Sequence, residues 1–139
     1  MAEALAALGA VAAASQLAEQ SLKIINFVID LYSKVRDAPE SIRKQSDQLD
    51  QLIHIAKLIE DNPPLRRDEV VSSLRSCLDE AKKLQEILTN ISTAAGDGKV
   101  KKFWRALDGV ATEKRILALF ENLEQKKSSL LLCIQAIDS

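Results

Sequence analysis

Chain breakers and aromatics are scarce in this 139-residue sequence: four Gly, three Pro, three Phe, one Trp and one Tyr. So few breakers exclude a fold of many short strands, which needs a turn signal every few residues. No run of alternating β-branched residues stands between turn signals, so all-β and α/β architectures are excluded as well. Cysteine is limited to Cys77 and Cys133, too few for a disulfide framework in a chain this long. Both lie in apolar helical patterns and read as reduced core thiols of an intracellular protein. The only histidine, His54, has no Cys or His at metal-ligand spacing. The glycines at 9, 96, 98 and 109 form no phosphate-cradling loop. The paired carboxylates Asp79-Glu80 and Asp47/Asp50 fall on helix faces where solvated charge is expected. No catalytic constellation is present, and the expectation is a non-enzymatic protein without cofactor or metal. An excess of positive charge is missing too: the net charge is −1, which excludes a general nucleic-acid binder.

What is abundant is helix former. Apolar residues make up 47% of the chain, and Ala and Leu alone supply 18 and 20 residues. The length suits a single domain, 1–139, able to bury roughly 68% of its unfolded surface. Punctuation divides it. Asp37, Pro39 and Glu40 suit a helix start. Asn62-Pro63-Pro64 is a stop and turn, Asp68 and Glu69 suit the next first turn, and Gly96-Asp97-Gly98 closes that helix. Gly109 and Thr112 mark a last break and an N-cap.

Between these points the apolar period is near 3.6. Residues 40–61 align Ile42, Leu49, Leu52, Ile53, Ala56 and Ile59. Residues 68–95 align Val70, Leu74, Cys77, Leu78, Ala81, Leu84, Leu88 and Ile91. Residues 112–138 align Ile116, Phe120, Leu123, Leu130, Ile134 and Ile137. The stretch 22–35 carries two stripes: Ile24, Val28, Leu31, Val35, and Ile25, Ile29, Tyr32. It reads as a central helix covered by several neighbours. The expected fold is all-α, a bundle of four long helices plus a short one at 99–108.

Two segments stand out. Residues 4–18 carry no charge, between Glu3 and Glu19. They are too few to span a membrane comfortably, and Met1-Ala2-Glu3 lacks the positive start of a secretory signal. Three readings stand: the small-residue first half of the central helix, a membrane-active segment, or a tail. As a membrane or oligomer segment its candidates are Glu3, Leu5, Leu8, Val11, Ala14 and Leu17, with an apolar 1–18 stretch in front of a 19–139 bundle body. The second segment crowds Lys99, Lys101, Lys102 and Arg105 around Phe103 and Trp104. It reads either as a short helix plugging the bundle end or as an interfacial anchor for anionic lipid. Lys126 and Lys127 add positive charge on the last helix.

Met1-Ala2-Glu3-Ala4-Leu5, the run Phe27–Val35, Ala38-Pro39, the ladder around Leu49 and Leu52, Cys77 with its spaced leucines, Trp104-Arg105-Ala106-Leu107 and Glu113-Lys114-Arg115-Ile116 resemble a known family across nearly the whole chain. They are similar to the SesA-type N-terminal domains of fungal NOD-like receptors, related to the HeLo and HeLo-like group. The resemblance implies a HeLo-like bundle placed before a NACHT or NB-ARC module. It further implies a domain that rests in the cytoplasm, self-associates on activation, and permeabilises the plasma membrane through its first helix, in regulated cell death. The candidates it carries over are Glu3 and the Leu5–Ala18 face. The competing expectation is a non-lytic adaptor that recruits a partner or regulates its receptor.

Overall fold

The computed structural model describes residues 2–34, 40–95 and 109–138, with side chains described over 5–30, 40, 43–90 and 114–137. Four long helices result: α1 (Ala2–Lys34), α2 (Glu40–Asp61), α3 (Asp68–Ala95) and α4 (Gly109–Asp138). No strand occurs among the described residues. The predicted spans 40–61 and 68–95 are reproduced. The last helix starts three residues earlier than expected, because Gly is tolerated at a helix N-terminus and Gly109 opens the first turn instead of breaking the chain. The predicted cap at 37–39 and the short helix at 99–108 lie outside the described residues. α1 passes through residue 18 without a break.

A 3₁₀ turn, Pro63–Leu65, joins α2 to α3. Its prolines need no amide partner at the start of a turn. Asn62 Nδ2 donates to Leu58 O at 2.7 Å, the Arg66 amide donates to Pro63 O at 3.0 Å, and Leu65 is buried under the bundle.

The helices form a ring in the order α1–α2–α4–α3. α1 and α2 are antiparallel: Ile25, Val28 and Ile29 share a cleft with Arg43, Ser46, Asp47 and Asp50. α1 and α3 run parallel, with Gly9 against Val71 and Gln20 beside Gln85. α3 and α4 are antiparallel, with Ile87 beside Leu119. α2 and α4 run parallel, since Gln48 reaches Phe120 and Gln51 reaches Lys127. Consecutive helices α2 and α3, joined by residues 62–67, therefore face each other across a diagonal.

Each helix turns a ladder at alternating four- and three-residue steps towards the centre. On α1 it is Ala10, Ala14, Leu17, Ser21, Ile24 and Val28; on α3 it is Val70, Leu74, Cys77, Ala81, Leu84 and Leu88. Such spacing keeps one narrow stripe facing the partner, as in coiled coils. The ladder on α4 is Ile116, Phe120, Leu123, Lys127, Leu130 and Ile134. Lys127 thus stands at a core position. This corrects the expectation that it adds surface charge: the gap in the apolar stripe at 127 is filled by an amine paired with Glu124 at 2.8 Å.

The small residues of α1 set how closely α3 approaches. A Cβ placed on Gly9 would lie 3.7 Å from Val71 Cγ1, an ordinary contact. Gly9→Ala is therefore expected to stabilise the domain by about 0.5–1 kcal/mol, the helix-propensity difference, as measured by urea unfolding.

Candidate functional site

α1 is not the enclosed central helix that its two stripes suggest. Ile24 and Val28 are buried, but Leu22 is 51% and Ile29 63% exposed, and Ile25 and Phe27 are half-buried. The reason is geometric. The second stripe lies about a quarter-turn round the helix from the first. Its principal neighbours, α2 and α3, cover the inner stripe and the two flanks, and α4 lies across the diagonal.

The outward face has its own register. Leu8, Val11, Ser15, Ala18, Leu22, Ile25 and Ile29 follow steps of three and four residues, and Leu5 extends the line by a turn. Leu5 is 71% exposed, Leu8 70% and Val11 36%. From Leu5 to Ile29 this face is about 36 Å long at 1.5 Å per residue. Leu58 of α2, also exposed, lies on the helix antiparallel to it. At the far end the cleft over Ile25, Val28 and Ile29 is about 600 Å³, with Arg43, Asp47 and Asp50 on its α2 side. Isolated exposed leucines are ordinary, but Leu5, Leu8, Val11, Leu22 and Ile29 exposed along one register, interrupted by Ser15 and with Ala18 and Ile25 half-buried, mark a candidate interaction surface.

The predicted N-terminal residues therefore divide between two faces. Leu5, Leu8 and Val11 point outward, whereas Ala14 and Leu17 are fully buried in the core. Glu3 lies on α1, and its side chain is outside the described residues. Lys99, Lys101, Lys102, Phe103, Trp104 and Arg105 are all outside them. Sequence reasoning missed Leu22, Ile29 and Leu58 as surface residues. The available signal was that Ile25 and Ile29 continue the Leu8–Val11 register, whereas Ile24 and Val28 continue that of Ala14 and Leu17.

Among the described residues the remaining titratable groups give no second site. His54 is exposed and its Nδ1 pairs with Asp50 O at 2.7 Å, a bond within one helix turn. Burial pushes the Cys77 thiol up to about 12, against a smaller opposing pull from the charge of Lys126, so the group stays a thiol in the core. Among the described residues no three His, Cys, Asp or Glu side chains gather to hold a metal ion, and no helix is long and apolar enough to cross a membrane.

A family model for the N-terminal domain found on NACHT NTPases and P-loop NTPases matches residues 12–130. The chain belongs to the SesA family. No curated protein and no solved structure matches it. The matched span takes in most of the core ladders, leaving out Ala10 at the start of α1 and Ile134 near the end of α4, and Leu5, Leu8 and Val11 precede it. The SesA assignment and the all-α bundle agree with the expectations from the sequence.

Proposed function

We propose that this SesA domain is the effector of a NACHT-type receptor: on activation it self-associates through the outward face of α1 and damages the plasma membrane to trigger regulated cell death. The observation that supports this is the second register of α1, which leaves Leu5, Leu8, Val11, Leu22 and Ile29 exposed along about 36 Å. A single α1 is long enough to span a membrane but holds no stretch apolar enough over that length. Several copies, packed along Leu8, Val11, Leu22, Ile25 and Ile29, would present their alanines and leucines together and thin or line a bilayer. In this proposal the domain acts without catalysis or cofactor, rests in the cytoplasm, and its partners are further copies of itself, anionic lipid and the NACHT module.

Dye release from anionic vesicles, read beside the mass of the assembly, tests the proposal. Removing residues 1–14 is a poor probe, since it takes Ala10, Ala13 and Ala14 out of the core. Outward point substitutions are clean. The same face also suits an adaptor that docks a partner protein. An intact, self-associating domain that releases no dye would favour that alternative.

The basic segment adds a separate expectation. Reversing charge at two of Lys99, Lys101, Lys102 and Arg105 should weaken vesicle binding by on the order of 1 kcal/mol per residue, and raised salt should weaken the wild type likewise. Vesicle sedimentation measures both, and binding indifferent to both would leave the cluster as solvated surface.

A further inference from the structure

We infer that the contact between α2 and α4 is the seam along which this bundle opens, and that the buried amine of Lys127 sets how readily it does so. Lys127 occupies a core step of the α4 ladder, between Leu123 and Leu130, and is 5% exposed. Its Nζ donates to Gln51 Oε1 on α2 and pairs with Glu124 on its own helix. Three residues before Gln51, Gln48 Nε2 donates to Phe120 O at 3.3 Å. Two polar contacts thus join α2 to α4, and this pairing is the least extensive of the four in the ring. The ladders of α1 and α3 carry no charged residue.

The energetics of separation differ accordingly. When two apolar ladders part, the full burial is lost. When α2 and α4 part, Lys127 regains hydration that it gives up in the closed bundle, which offsets part of the cost. Gln51 and Glu124 already reach solvent, so neither is stranded by the change. A lysine at a core step of a helical ladder fixes register at the expense of stability, and here it does so at the edge that α4 alone can leave while staying on α3. Within the effector proposal, on which this functional consequence rests, α4 forms the C-terminal side of a domain that stands N-terminal to a NACHT module, and tension on α4 would open the seam.

Native-state hydrogen exchange of the whole chain tests the inference. Once parted from α2, α4 keeps only α3 as support, so its turns should fray and its amides exchange through an opening that leaves those of α1 and α3 protected. Lys127→Met removes the buried amine, keeps the length of the side chain and strands no buried partner. It should raise α4 protection by at least about tenfold with α1 and α3 unchanged. Gln51→Ala, at an exposed position, should move α4 the other way. Exchange of α4 only together with α1 and α3, or variants that shift all helices equally, would overturn the inference. Vesicle leakage is the second arm, where Lys127→Met should slow dye release. Absence of leakage from the wild type would count against the effector proposal, while the exchange data would still decide the seam.

Discussion

Leu8→Glu abolishes dye release and leaves the bundle folded: that is the expected result at the position where the two faces of α1 are most cleanly separated. Leu8 is 70% exposed and outside the core, so the substitution should change stability by no more than about 0.5 kcal/mol. In a bilayer the change is far larger. Placing a carboxylate where a leucine meets hydrocarbon costs about 3 kcal/mol per copy, roughly a hundredfold in partitioning, and the penalty recurs in each copy of an assembly. Val11→Glu should act in the same direction, with a somewhat larger stability cost because Val11 is less exposed. Circular dichroism and urea unfolding establish the folded state, and dye release gives the functional arm. Unchanged release by folded Leu8→Glu would transfer the outward face to the adaptor alternative.

The inward counterpart should fail in the opposite way. Leu17 is fully buried on the same helix, between Ala14 and Ser21 of the core ladder. Leu17→Glu loses a buried leucine, worth about 2–5 kcal/mol, and adds an unpaired buried carboxylate worth several more. Domains of this kind have about 5–15 kcal/mol in total. The variant should lose cooperative unfolding or release α1 from the bundle, as seen in a urea titration followed by near-ultraviolet signals. A Leu17→Glu protein with wild-type stability would mean that α1 is not locked into the core at rest.

Much of the fold could be read from spacing because each helix buries one narrow stripe and solvates the rest. That is why Leu49–Ile59 and Val70–Leu88 were placed correctly, with helix ends marked by Pro63, Asp68 and Glu69. The candidate site was harder. On α1 the residues of both stripes are aliphatic, and hydropathy alone does not say which stripe has a neighbour. That depends on the ring order, which puts α4 across the diagonal from α1. Lys127 shows the complementary difficulty. A lysine is normally counted to the surface, and only the regular ladder through Phe120, Leu123, Leu130 and Ile134 marks its place as interior.

The parallel pairing of α1 with α3 has a consequence for how the chain emerges during synthesis. Gly9 meets Val71 across about sixty residues of sequence, and α2, made in between, covers only one flank of α1. At about 5–20 residues per second, α3 follows the end of α2 by a few seconds. During that interval the core stripe of Leu17 and Ile24 lacks its α3 cover while Leu8 and Leu22 are already outward, so α1 shows two adjacent apolar stripes beside its polar Glu19–Lys23 face. The nascent chain, rather than the finished bundle, passes through the form most prone to unintended association.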